Sequence, residues 1–136
     1  MKNNMLPLNE NYIQRIKSKY NDEQQEAIFV DKVSALVSAG AGSGKTAVLS
    51  ERTIALLKAG FDISRILILT FTDNAAQNMK IRIKDKISED KDGDIKEAEK
   101  YVSGADIMTF DSFNRKLAIK YGPCLLYTSD AADEAR

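Results

Sequence analysis

Apolar positions along this 136-residue chain follow two rhythms. Where they recur every three or four residues they predict helices. Where they run together between polar breaks they predict strands. Tyr12, Ile13 and Ile16 share one face of a short helix predicted over 9–20. Asn21-Asp22-Glu23-Gln24 is a capping Asn followed three residues later by a Gln, and it predicts a helix running to about Val30. The run Val33-Ser34-Ala35-Leu36-Val37 predicts a first strand over 33–38. A helix is predicted over 45–58, with Gly60 just past its end as a C-terminal cap. Residues 65–70 predict a second strand, whose unbroken apolar run implies burial on both faces of a parallel sheet. The pattern then predicts a helix over 72–88, a solvated break over 89–94, a short charged helix over 95–102 and a third strand over 105–109. A last amphipathic helix is predicted over 111–120, with Phe113, Leu117 and Tyr121 along one side. Strands alternating with helices predict an α/β fold with a doubly wound parallel sheet. Right-handed crossovers would bring the loops 39–45, 70–74 and 109–112 to one edge of that sheet.

The first of these loops, Ala39-Gly40-Ala41-Gly42-Ser43-Gly44-Lys45-Thr46, has the order of a phosphate-binding loop between a strand and a helix. Its glycines let successive N–H groups turn toward one anion, and the following helix adds its unpaired N–H groups and dipole. Lys45 would meet the outer phosphates, and the Thr46 hydroxyl would meet Mg²⁺. The pattern usually opens on Gly, and here that position is Ala39. The bland alternative is a glycine-rich turn that ends in Lys-Thr by chance, and the flanking elements weigh against it. A nucleoside triphosphate is therefore the expected ligand.

Composition narrows the rest. Lys+Arg and Asp+Glu balance at 20 each, so a nucleic-acid contact needs a local patch. The absence of histidine excludes histidine general bases and most zinc sites. The single cysteine, Cys124, cannot form an internal disulfide, which fits a reducing, cytoplasmic setting. No run is long enough to span a bilayer. The abundance of Lys, Asn and Ile points to an AT-rich bacterial genome.

Three further segments carry a family resemblance. Tyr20-Asn21-Asp22-Glu23-Gln24-Gln25-Glu26-Ala27-Ile28 resembles the Q motif of superfamily 1 DNA helicases. That resemblance makes Gln24 the adenine reader, since an amide matches adenine N7 and N6 together. The bland reading is an exposed helix residue, as for Gln25. Thr70-Phe71-Thr72-Asp73-Asn74-Ala75-Ala76-Gln77-Asn78-Met79-Lys80 resembles motif Ia of the UvrD/Rep/PcrA and AddA group, with Asp73 where Asn is usual. Thr70, Phe71, Thr72 and Asn74 are then DNA contacts; otherwise they are a helix cap. Met108-Thr109-Phe110-Asp111-Ser112-Phe113 resembles motif Ib, with Asp111 in place of His, and implies contacts from Thr109, Phe110 and Ser112. Arg115, Lys116 and Lys120 would border that path, whereas Lys80, Arg82, Lys84 and Lys86 read as a solvated face.

Together the motifs resemble the N-terminal ATP-binding domain of superfamily 1A, UvrD-like helicases over most of 20–121. The resemblance implies a partial RecA-like P-loop NTPase sheet flanked by helices. It also implies ATP and Mg²⁺ as cofactors, and single-stranded or 3′-tailed duplex DNA as partner. The implied activity is 3′ to 5′ translocation in repair or recombination. The alternatives are an AddA-type helicase-nuclease that works with a partner subunit; a P-loop NTPase that does not act on DNA; and a non-catalytic remnant.

The expected organisation is a helical lead-in over 1–19, the ATP-binding segment over 20–123, and a non-native tail over 124–136. The tail back-translates as TGT CTC TTA TAC ACA TCT and onward, which resembles a transposon-type sequencing adapter. Asp133-Glu134-Ala135-Arg136 imitates a Walker B box but follows Ser-Asp-Ala-Ala and no apolar strand. The residues that activate water and the arginine fingers are then expected beyond 123. Half a sheet with an open apolar edge also predicts marginal stability.

Overall fold

The computed structural model describes residues 5–32, 34–40, 42 and 44–134, the last eleven of them by backbone alone. Val33 of the expected first strand, Ala41 and Ser43 of the glycine-rich loop, and Ala135 and Arg136 of the tail lie outside the described residues.

Local signals set the helix starts. Helix α1 (Glu10–Lys19) begins where the Asn9 side chain accepts the Tyr12 N–H. Helix α2 (Asp22–Phe29) opens with a complete capping box between Asn21 and Gln24. Helix α3 (Lys45–Lys58) starts after Gly44 and stops at Gly60. There the Phe61 N–H reaches the Leu56 carbonyl and the Gly60 N–H the Leu57 carbonyl, a Schellman closure that needs the positive φ of 100° at Gly60. Helix α4 (Asp73–Glu89) begins where the Thr72 hydroxyl accepts the Ala75 N–H.

Strands β1 (Leu67–Thr70) and β2 (Asp106–Thr109) form a two-stranded parallel sheet, with Ile68 opposite Ile107 and Thr70 opposite Thr109. Ile68 and Ile107 share one apolar core with Met79 and Ile83 of α4, Ile54 and Leu57 of α3, Ile28 and Phe29 of α2, and Tyr12 and Ile16 of α1. The lead-in helix thus belongs to the same packed unit. Ahead of it, the Leu6 N–H donates to the Phe29 carbonyl, and Met5 bridges Val30.

Several expectations need correction. No described residue of 34–38 is in a strand, and Leu36 is 97% exposed. A strand is held by ladder bonds to a neighbour; β1 and β2 pair with each other along one edge apiece, and residues 34–38 join neither outer edge. The 39–45 loop therefore does not follow a paired strand, although the other two loops do meet at one sheet end. The second strand begins at Leu67 because Ile63–Arg65 winds into a 3-10 turn, capped by the Asp62 side chain on the Ser64 N–H. Burial of β1 is one-sided, with Ile68 buried and Leu67 45% exposed. Lys96–Gly104 is a 3-10 segment, whose tighter period turns Ile95 and Val102 into the core. The expected last helix is longer: α5 (Phe110–Glu134) continues past Pro123, whose fixed φ is itself helical although it removes one hydrogen bond and its ring crowds the carbonyl four residues before it. Its Leu117 and Tyr121 stay partly exposed, so that side of α5 is not a core face among the described residues.

Candidate nucleotide-binding site

The site is built around the first turn of α3. Gly42 and Gly44 have φ of 76° and 80°, left-handed values that a side chain would strain. Gly44 is the N-cap residue, and a glycine there supplies no capping side chain. Lys45 and Thr46, both exposed, are the first two helical residues, placed where helix N–H groups and the positive dipole end favour an anion.

A cleft of about 650 Å³ opens beside this turn. Gln24, Ala39, Gly40 and Lys45 all line it, with Ala27, Val48 and Leu49 as apolar walls. The capping box places Gln24: its Oε1 accepts the Asn21 N–H at 3.1 Å, while Asn21 Oδ1 accepts the Gln24 N–H at 2.9 Å. The Gln24 Nε2 lies 3.3 Å from the position a Cβ on Gly44 would take. The fold therefore brings the expected base reader against the expected phosphate cradle, some twenty residues away in sequence.

The rest of α3 is anchored by residues the sequence reading passed over. Arg52 donates to the Ile28 and Val30 carbonyls at the C-terminal end of α2, where a cation meets the negative dipole end. Burial holds its guanidinium somewhat below the ordinary arginine value. Its spacing of seven from Lys45 puts both on one helix face, a signal that could have revealed it. Glu51 is 6% exposed and accepts from Tyr12 Oη at 2.7 Å, Lys86 Nζ at 2.6 Å and Tyr20 Oη at 3.3 Å. Burial, then the Glu51 charge, push the Tyr12 phenol far above the ordinary tyrosine range. Burial pulls the Lys86 ammonium down, but the hydrogen bond and charge of Glu51 outweigh it and leave the pKa raised. Lys86 is thus a buried-network residue and not part of a solvated face.

The predicted solvated break is likewise a structural knot. The Lys58 side chain is 2% exposed, and its Nζ lies 2.9, 3.0 and 2.8 Å from Asp90, Asp92 and Asp94. These three aspartates have the spacing of a cation site, and Lys58 supplies the cation. Arg15 pairs with Asp92 at 2.7 Å from α1. Arg15, then Lys58, hold the Asp92 carboxyl far below the usual carboxylate range. Burial opposes the charge on Lys58, yet the three carboxylates leave its pKa raised.

The other two motif loops meet at the ends of β1 and β2. Phe71 is 91% exposed, Phe110 is 44% exposed, and their ring centroids lie 5.4 Å apart at 39°. The Thr70 hydroxyl donates to the Thr72 carbonyl at 3.0 Å, and Thr72 itself caps α4. Asn74 is exposed in the first turn of α4. Thr109 is buried; its hydroxyl donates to Ser112 Oγ at 3.0 Å and accepts the Ser112 N–H at 3.1 Å. The proton of Thr109 is thus spent inside the loop, which leaves Ser112 the outer hydroxyl of the pair. Lys116 pairs with Asp106 at 2.6 Å. No helix among the described residues is long and apolar enough to cross a membrane.

Comparison with known proteins agrees with this layout. Residues 20–131 match the UvrD/REP helicase N-terminal domain. The chain is 44% identical over 104 residues to an ATP-dependent helicase/nuclease subunit of Clostridium botulinum (strain Hall), covering 71% of this chain and 8% of that protein. It is 40% identical over 107 residues to the exonuclease/helicase subunit RexA of Lactococcus lactis subsp. cremoris, covering 73% of this chain and 9% of that protein. It is 46% identical over 72 residues to an ATP-dependent helicase/nuclease subunit of Heliobacterium modesticaldum, covering 53% of this chain and 5% of that protein. The chain thus spans less than a tenth of the length of these relatives. With the motif order, the cleft and these matches in agreement, the chain belongs to the UvrD/REP helicase N-terminal domain family.

Proposed function

We propose that this chain is the nucleotide-binding segment of an ATP-dependent 3′ to 5′ DNA helicase or translocase of DNA repair or recombination, working in the bacterial cytoplasm. One observation carries the reading: Gln24 and Lys45 line a single cleft, with the Gln24 amide against Gly44. In this reading the adenine sits against Gln24 and the apolar wall of Ala27, Val48 and Leu49. The triphosphate lies across the glycine-rich loop to the α3 N-terminus, and Lys45 meets its outer phosphates.

Mg²⁺ binding to proteins uses one or two protein oxygens plus substrate phosphates and water. The exposed Thr46 hydroxyl, next to Lys45, fits as one such ligand. The ion would neutralise phosphate charge there. Single-stranded DNA would pass the Phe71/Phe110 pair, with a base stacked on the open ring and phosphates near Thr72, Asn74 and Ser112. We further propose that residues 1–136 bind ATP without turning it over, and that 124–136 are foreign to the natural sequence.

Lys45→Ala tests the cradle. Calorimetric titration should show ATP affinity lost while circular dichroism stays that of the parent chain; ATP affinity within twofold of wild type sinks the assignment. DNA-stimulated turnover by residues 1–136 would overturn the non-hydrolytic reading. Fluorescence binding of a labelled single strand by the full-length protein, with and without ATP, separates a DNA motor from a nucleotide switch that ignores DNA. The names of the relatives favour a second reading, in which the full-length protein is one component of a helicase-nuclease and works with a partner protein. An intact nuclease domain later in the full-length protein would decide for it.

A further inference from the structure

The knot around Lys58 encloses the one Asp-Gly dipeptide of the chain, Asp92-Gly93. Such a dipeptide carries chemistry of its own. The backbone nitrogen of the residue after an aspartate can attack the side-chain Cγ. An N–Cγ bond forms, the N–H proton and the carboxyl OH leave as water, and a five-membered succinimide closes. Water then adds back at either ring carbonyl. Addition at Cγ restores aspartate. Addition at the former backbone carbonyl gives isoaspartate, in which the main chain runs through Cβ and Cγ. Glycine as the second residue puts no side chain in the path of the attack and leaves the backbone free to turn, so Asp-Gly closes most readily.

Ring closure has three requirements, and this fold opposes each. The carboxyl group must turn toward its own C-terminal neighbour. Here Arg15 of α1 holds both of its oxygens, Nη1 on Oδ1 at 3.2 Å and Nη2 on Oδ2 at 2.7 Å. Lys58 Nζ of α3 also donates to Oδ2 at 3.0 Å, and Asn9 Nδ2 at 3.5 Å. The carboxyl group must be neutral, because an oxide is a poor leaving group. Arg15, then Lys58, keep it ionised. The Gly93 nitrogen must be free to attack, whereas its N–H donates to Asp90 Oδ2 at 3.2 Å. Asp90 is held in turn by Lys58 at 2.9 Å.

We propose that Asp92-Gly93 is a latent isomerisation site, locked by Arg15 and Lys58 in the folded chain and released when residues 89–94 open. The lock holds only while α1 and α3 are both docked on that loop, so the modification reports on the packing of the whole unit. It also outlasts the opening. Isoaspartate lengthens the main chain by one carbon and leaves the carboxylate directly on Cα, so the two-point grip of Arg15 is lost and a chain that has opened keeps the mark.

Ageing the full chain at neutral pH and physiological temperature tests the lock. The peptide carrying residues 92–93 is compared, by chromatography and mass spectrometry, with synthetic aspartyl and isoaspartyl standards. The chain held unfolded in guanidinium chloride should accumulate isoaspartate at least about tenfold faster than the folded chain, since the reaction follows the population of the open form. Arg15→Gln, shown to be folded by circular dichroism, should isomerise about three- to tenfold faster than the parent, because it frees the carboxyl group on one side. Ile107→Val weakens the core from the sheet and leaves the knot intact, so it should age like the parent. Equal rates in the folded and unfolded parent overturn the lock. A folded Arg15→Gln that ages like the parent removes Arg15 from it and overturns the proposal. Ile107→Val ageing as fast as Arg15→Gln also overturns it, by assigning the protection to global stability alone.

Discussion

The two ends of α3 are built on opposite principles. From Glu51 onward the helix is tied down: Glu51 holds Tyr12 and Lys86, Arg52 grips the end of α2, and Lys58 sits among three aspartates. At its start the helix is open, entered through Gly44 at a positive φ and followed by exposed Lys45 and Thr46. Buried ion pairs and hydrogen bonds are concentrated in the second half, and the proposed ligand end is left to glycines and backbone N–H groups. A helix transmits position along its axis, so the locked half fixes where the open half points.

Breaking the locked end should cost most. Glu51→Ala leaves Lys86 and the Tyr12 hydroxyl without their buried acceptor and should destabilise the chain by about 3 kcal/mol. The readout is a lower urea midpoint at unchanged slope. Lys58→Met should cost about 2 kcal/mol, because Asp90 and Asp92 lose their cation while Asp94 stays partly hydrated. That variant also has a pH signature. The folded-state pKa of Asp92 is depressed, so its contribution is complete above the unfolded value, about 3.9, and fades as pH falls toward the folded value. Acid titration of the thermal midpoint should therefore fall less steeply below about pH 4 in Lys58→Met than in the parent, with Arg15 maintaining part of the slope.

At the open end the ranking of effects reverses. Gly44→Ala should cost only about 1 kcal/mol of stability, the strain of a left-handed alanine, yet it should weaken triphosphate binding measurably, as the added methyl lies 3.3 Å from the Gln24 amide and displaces it slightly beside the cradle. Leu36→Ser should change the thermal midpoint by less than about 0.5 kcal/mol equivalent, since Leu36 is almost fully exposed. A large loss there would mean that 34–38 is packed in solution. Marginal stability of the chain as a whole is also expected from its two-stranded sheet, and a cooperative transition at a high midpoint would contradict it.

What the sequence disclosed follows the range of the interactions. The capping box at Asn21 and Gln24, the Thr72 cap and the stop at Gly60 are local, and each was legible. Strand 33–38 was misread because an apolar run states a preference for burial but not who will bury it. Glu51, Lys58 and Lys86 were unreadable as buried groups. Each looks like an ordinary solvated helix charge until partners dozens of residues away are brought in, and Lys58 and its aspartates are more than thirty residues apart. The cradle was expected from the sequence because glycine, lysine and threonine in that order answer to a backbone shape. That Gln24 belongs with them was expected only through the family resemblance; in the fold Gln24 and Lys45 line one cleft.

The parallel register has a consequence for how this surface can vary. Phe71 and Phe110 each follow the last residue of a paired strand, Thr70 opposite Thr109. The distance between the two rings is therefore set by the backbone ladder and not by the rings themselves. Tyrosine or tryptophan at either position inherits the same footing, so the aromatic identity can drift between descendants of this chain while the platform keeps its pitch. A single-residue insertion in either strand, by contrast, would send one ring to the opposite face at a stroke.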